Sequence, residues 1–395
     1  MMPWITRFSL KFYIIYLIIS LMGVLILRYN DVSAITIICY FTYVFFFCIG
    51  TIIGSGLPMI KLKILKLSPI SLANFLLPLS AISVLLGWLF LIRYYGSLAN
   101  IMASAYAVRV ETIGDGIQVT PTLINYLSSF TAFGFSLSLI IYYDTKIRKY
   151  LYYVIMFGIL IIISDLQTFG RIGMLFAIFI LFGYVFLLIR RIPWRKLAFS
   201  SILLFLILMV PWIIRKGNSL EGAGDKFSSY MQFSIPDILT PLVSAYTYYF
   251  SSIYALNDLL GKTFISYFEG QRNFSSFINL YNRIFLDETH YHRVVIIADS
   301  VDIPFETNIY SIIGEAYMDF GYIGLIFLPL FWGVNFGYFF KYKGFYANIL
   351  KMVMLAWLFY TPIYNAFSFG GFLLTFIVAV FCVIFVKEKT FKCQF

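Results

Sequence analysis

Ten apolar runs, beginning near residues 9, 33, 70, 122, 150, 172, 197, 319, 346 and 368, are each long enough to cross a bilayer. No soluble domain could hide that much apolar surface in a chain of 395 residues that is 61% hydrophobic and 12% charged. The fold class is therefore an all-α polytopic membrane protein with about ten transmembrane helices. The first run, FYIIYLIISLMGVLIL, is followed by no small-residue cleavage site and reads as a retained span with a cytoplasmic N-terminus.

The net charge of +11 belongs to the membrane rather than to nucleic acid, because of where it sits. Basic residues cluster in short gaps between runs: Arg7 and Lys11; Lys61, Lys63 and Lys66; Lys146, Arg148 and Lys149; Arg190, Arg191, Arg195 and Lys196; Lys341 and Lys343; Lys387, Lys389 and Lys392. These gaps hold 17 of the 29 Lys and Arg but only Asp144 and Glu388 of the acids, so the positive-inside rule makes them cytoplasmic. Ten spans with both termini inside satisfy that alternation. The four cysteines lie in apolar runs or the C-terminal tail, so no disulfide framework is expected on the outer face.

This organisation divides the chain into spans 1–7 over residues 1–213, a large extracytoplasmic loop over 214–308 between spans 7 and 8, and spans 8–10 over 309–395. A second outer loop occupies 93–121. Loops of this size are usually functional. Within the larger one, SIPDILTPLVSAYTYYFSSIYALNDLL is aromatic and mildly apolar, which fits either a helix lying on the membrane or a re-entrant element.

Nearly all the acids, both histidines and most of the arginines then face outward. Arginine dominates the outer cations and lysine the inner ones. Its planar fork suits bidentate capture of phosphate, so an outer partner bearing a pyrophosphate would explain the bias; anchoring of span ends at headgroup level is the plainer explanation for any single one. Arg171, about one turn into its run, stands out, followed by Arg93 and Arg109; Arg272 and Arg293 belong to the large loop. The stretch DETHYHR concentrates both histidines, and His292 can serve as a general base or belong to a solvated loop. No phosphate-cradling loop, Cys/His metal pattern or nucleophile elbow occurs, so neither a nucleotide nor a metal cofactor is expected.

The sharpest signal is TNIYSIIGEAYMDFGYIG, residues 307–324, at the mouth of the eighth span. Glu315 and Asp319 are four residues apart and share a helix face, where like charges repel. Ionised groups are rare in membrane helices, and a functional role is the default reading. Asn308 can cap the helix that follows. One acid can act as base while the other pairs with an outer arginine to hold the loop; Glu315 is the better candidate for chemistry and Asp319 for structure.

This motif, after a long outer loop and opening a late span, resembles the bacterial O-antigen and oligosaccharide repeat-unit polymerases, as do the arginine-bearing segments around Arg109 and QTFGRIGML at Arg171. The resemblance implies a GT-C-like membrane glycosyltransferase. Its substrates would be undecaprenyl-diphosphate-linked oligosaccharides, and a flippase and a chain-length regulator would be possible partners alongside membrane lipids. The related ligases carry a His-Asn-x-Tyr stretch; here Thr307-Asn308-Ile309-Tyr310 replaces the histidine with threonine, preceded by Glu306. That departure favours a polymerase over a ligase. It leaves Glu315, Glu306 and His292 as candidate bases, with Asn308 and Tyr310 expected in the glycan site. A lipid-linked oligosaccharide flippase is the non-enzymatic alternative, but it would not need so large an outer loop.

Overall fold

The computed structural model describes residues 3–23, 31–60, 62–105, 121–189, 234–261, 270–278, 301–303, 305–307 and 310–387, with a few isolated positions between. The apolar runs become α1 (Trp4–Leu21), α2 (Ala34–Gly56), α3 (Pro69–Tyr95), α5 (Thr122–Thr145), α6 (Arg148–Leu166), α7 (Ile172–Leu188), α10 (Ser311–Phe340), α11 (Phe345–Tyr360) and α12 (Gly370–Phe385). Between them lie the short α4 (Leu98–Ala103), α8 (Thr240–Phe250) and α9 (Ser252–Gly261), and a two-stranded antiparallel hairpin, β1 (Val301–Ile303) and β2 (Phe305–Thr307). Among the described residues, six helices, α1, α2, α3, α5, α6 and α10, are long and apolar enough to cross a membrane; α7, α11 and α12 are shorter apolar helices. The architecture is that of a helical, polytopic membrane protein. The run expected near residue 197 lies outside the described residues.

The chain forms two compact units. The first comprises Met1–Pro58, Ser219–Lys341 and Leu358–Ser368. Its spine is the pair α2 and α10, which run parallel. Gly50 and Gly54 of α2 meet Gly333 and Gly337 of α10, each pair four residues apart and so on one face. A Cβ at any of the four would collide with backbone atoms of the facing helix, so the two main chains touch. In lipid, where apolar side chains gain little by leaving the solvent, such small-residue contacts are what let helices pack closely. At one end of this pair Lys341 donates from Nζ to the Leu57 carbonyl.

At the opposite end, α8 and α9 close over the helix termini. The aromatic segment is not one continuous helix: it breaks at Ser251 into two short helices, and Ile253, Tyr254, Ala255, Leu256 and Leu259 of α9 are buried. Tyrosine hydroxyls secure it through carbonyls that helix ends leave unpaired. Tyr254 donates to Ser20 O (3.0 Å) at the last turn of α1, and Tyr249 to Phe359 O (2.8 Å). Asn257 Oδ1 accepts from Ser33 N and Thr36 Oγ1 at the start of α2, both at 2.8 Å.

The second unit comprises Met59–Asn218, Tyr342–Trp357 and Phe369–Phe395 and contains α3 to α7, most of α11, and α12. Gly87 of α3 makes room for the Gln167 amide, which donates to Val84 O at 2.8 Å; Trp88 Nε1 donates to Ile163 O at 3.1 Å. The turn from α6 into α7 is set by Asp165, whose two carboxylate oxygens accept from Gly173 N (3.1 Å) and Met174 N (2.7 Å), orphan donors of the first turn of α7. At the other end, the basic gap before α3 lies along the end of α12: Leu65 N donates to Phe385 O (2.9 Å) and Lys387 N to Leu65 O (2.7 Å). Lys63 and Lys387, one from each of two basic clusters, are thus brought close together.

Candidate functional site

The segment that carries both acids is a short helical stub in the first unit. Helix α10 is broken at Gly321, whose φ of 60° and ψ of −145° are open only to glycine, so Ser311–Phe320 forms a separate ten-residue piece ahead of the long span. Ser311 at its start also has a positive φ, 57°. The stub's first turn is pinned by Ile312 N, which donates to Thr361 O at 2.8 Å. Glu315 and Asp319 thus lie on a rigidly placed stub rather than on a continuous transmembrane helix.

Neither acid lies at an open rim. Asp319 is 0% exposed and Glu315 4%. A buried carboxylate must be met by donors, and the two acids are met very differently. Asp319 Oδ1 accepts from Arg272 N at 3.0 Å, while Oδ2 accepts from Asn273 N and Asn273 Nδ2, both at 2.8 Å. Three N–H groups saturate it and fix the turn at 270–274. Glu315 takes one hydrogen bond among the described residues, from Asn365 N to Oε2 at 2.8 Å. Its second oxygen carries none among those residues.

Two buried asparagines join the acids. Asn365 Nδ2 donates to Asn273 O (3.0 Å) and Asn273 Oδ1 (3.2 Å), and Asn365 Oδ1 accepts from Phe367 N (3.2 Å). Asp319, Asn273, Asn365 and Glu315 form one uninterrupted polar chain inside an apolar bundle. Arg272 supplies the countercharge to both carboxylates. Its guanidinium lies over the ring of the fully buried Tyr310, with Cζ 5.1 Å from the centroid, and Nη1 reaches Met318 Sδ at 3.5 Å. Stacking on tyrosine holds the fork in place at modest desolvation cost.

Of the residues singled out in the sequence, Glu315, Asp319, Arg272 and Tyr310 are therefore brought together. Glu306 lies in β2, paired in register with Asp302, shortly before the stub. Arg109, His292, Arg293 and Asn308 lie outside the described residues. Arg93 and Arg171 belong to the second unit. Arg93 is exposed in the last turn of α3, and that turn shares an apolar cluster with Phe169, two residues before Arg171. Arg171 does not sit a turn inside an apolar helix as its run suggests: it is the N-cap residue of α7, because the Asp165 turn starts that helix only at Ile172.

Asn273 and Asn365 escaped the sequence reading. The signal for Asn365 was present: TPIYNAFSFGG interrupts two apolar runs with Pro, Gly and an amide, and a polar side chain there needs an internal partner. Asn273 carries no such local mark.

No family model, curated protein or solved structure matches the chain.

Proposed function

We propose that the protein is a GT-C-like polysaccharide polymerase of the bacterial cytoplasmic membrane, transferring a growing glycan from one lipid diphosphate to a sugar hydroxyl of a second lipid-linked repeat unit on the extracytoplasmic face. The observation that carries this reading is the unequal treatment of two carboxylates on one stub. Asp319 is saturated by three donors and holds the Arg272–Asn273 turn, whereas Glu315 keeps an oxygen with no hydrogen bond among the described residues, beside the charge of Arg272. That is the arrangement expected of a structural acid and a working base.

In the reaction, the acceptor hydroxyl oxygen attacks the anomeric carbon and the carbon–oxygen bond to the diphosphate breaks, its electron pair leaving on the diphosphate. The hydroxyl proton passes to Glu315. Diphosphate is a good leaving group, so arginines need only bind and stabilise it. Holding two membrane-confined substrates in one place supplies much of the acceleration.

Helix direction supports ten spans. Parallel packing of α2 and α10 requires an odd number of crossings between the end of one and the start of the other. If α3, α5, α6 and α7 each cross once, the count closes only with one more span between α7 and α10, where the run near residue 197 lies. With the basic gaps on the cytoplasmic side, both termini are then cytoplasmic and the stub faces outward.

The test is elongation by purified protein in nanodiscs supplied with lipid-diphosphate repeat units. Longer glycans made by wild type support the reading. Translocation of the repeat unit without any change in glycan length would replace it with a flippase.

A further inference from the structure

We propose that the second unit holds a binding site for a neutral sugar ring, at the end where α5, α7 and α12 begin and α6 ends. A partly open cavity of about 170 Å³ lies there, far above the roughly 10–15 Å³ that a single water requires. One wall is polar and comes from two helices: Ser128, Ser129 and Thr131 of α5, and Ser164 and Asp165 of α6. A second part of the lining is aromatic, with Phe176, Phe369 and Phe372; the Phe176 and Phe372 rings lie 3.6 Å apart between centroids. All of these residues fall within the one unit.

The polarity of the lining selects the guest. Ser128 and Ser129 donate to Asn125 O at 2.8 and 3.0 Å, and Thr131 donates to Ser128 O. With their protons committed to their own helix, these hydroxyls present lone pairs to the cavity. Asp165 adds a carboxylate, and the half-buried Ser164 hydroxyl holds no partner among the described residues. A lining with no lysine or arginine, rich in acceptors and including a carboxylate already held by the first turn of α7, offers phosphate no cationic side chain and rewards a guest that brings several O–H donors. An acyl chain would bring no donor to the remaining lone pairs of these side chains. A pyranose ring matches both parts of the lining: hydroxyls around its edge for the serines and threonine, and a C–H face for the phenyl rings. The chemical class is thus a neutral glycosyl unit, not its diphosphate. The absence of a side chain at Gly371 leaves room in the lining, since a Cβ there would stand 3.2 Å from Ser129 Oγ.

The site itself follows from the cavity chemistry; only the statement that the sugar belongs to a lipid-linked glycan rests on the function proposed above. The probes are methyl glycosides of glucose, galactose and N-acetylglucosamine, offered to full-length protein in nanodiscs free of glycoside detergent. Saturation-transfer NMR should show ring-proton signals for at least one of them. The signal should fall about fivefold, the size of one or two lost hydrogen bonds, in the Ser129→Ala/Thr131→Val double variant, and should fall likewise in Gly371→Ala, which narrows the cavity without removing a hydroxyl. A diazirine-bearing form of the bound glycoside should label wild-type peptides containing residues 128–132, 161–173 or 369–373, a readout that needs no variant to fold. Absence of signal from all three glycosides, labelling elsewhere, or unchanged signal in both variants overturns the proposal. Displacement of the glycoside by tetramethylammonium also overturns it, by making the site cationic. Because binding is read without turnover, loss of this site and loss of the Glu315 chemistry are separable: Glu315→Gln should keep the glycoside signal.

Discussion

Asn365 donates from its backbone to Glu315 and from its side chain to Asn273, which in turn holds Asp319, so one amide pair links the two buried acids. Each acid's environment is therefore tied to the other's through groups that carry no charge. A buried polar chain of this kind is stable only when complete, and the order of its parts gives each substitution a distinct expected effect.

Asp319→Asn should destabilise the fold more than Glu315→Gln. The Asp319 carboxylate accepts from two backbone N–H groups on different oxygens, and an amide can replace only one of them; the other N–H would face an NH₂. The expected cost is about 1–3 kcal/mol, that of a buried donor left unmet. Glu315 needs one acceptor oxygen, which glutamine provides, so its fold should be nearly unchanged. Thermal melts of the two variants in the same detergent measure the difference.

Arg272→Lys keeps the charge and loses the planar stack on Tyr310. A loss of about 0.5–2 kcal/mol is expected from the cation–π contact alone, together with slower glycan elongation. Unaltered stability and elongation in the lysine variant would remove the guanidinium from the site.

Gly321→Ala forces a Cβ into a backbone conformation at φ 60°, ψ −145° that L-residues avoid, at a cost of about 1–3 kcal/mol. The stub should then shift relative to the span, and elongation should drop more than stability. Limited proteolysis across residues 311–325 alongside the elongation assay separates the two effects.

Gly54→Leu or Gly337→Leu drives a side chain into the backbone of the facing helix. Overpacking typically costs about 1–3 kcal/mol, and more is expected here because the obstruction is main chain. Yield of monodisperse protein on size exclusion reports it. Gly56→Leu, where an added Cβ meets nothing within 4 Å, is the matched control.

Much of this architecture is legible in the sequence because bilayer thickness sets the length of an apolar run. The starts expected near 33, 70, 122, 172 and 346 fall within a residue of α2, α3, α5, α7 and α11. The start near 319 is eight residues late, because Glu315 and Asp319 lower local hydropathy although the fold buries them both. That the acids mark a site was readable from charge in an apolar context. That they are enclosed was not, because the donors which enclose them, Asn273 and Asn365, are 46 and 50 residues distant from their partners. The break at Gly321 was likewise hidden: a glycine in an apolar run signals either close packing, as at Gly333, or a turn, and only the tertiary contacts choose.

The most direct measurement is glycan length produced from lipid-diphosphate repeat units by wild-type, Glu315→Gln and Asp319→Asn proteins, each verified as folded by its melt. The expected result is a ladder from wild type, none from a well-folded Glu315→Gln protein, and residual elongation from whatever fraction of Asp319→Asn remains folded. A full-length ladder from Glu315→Gln would contradict the assignment of Glu315 as the base.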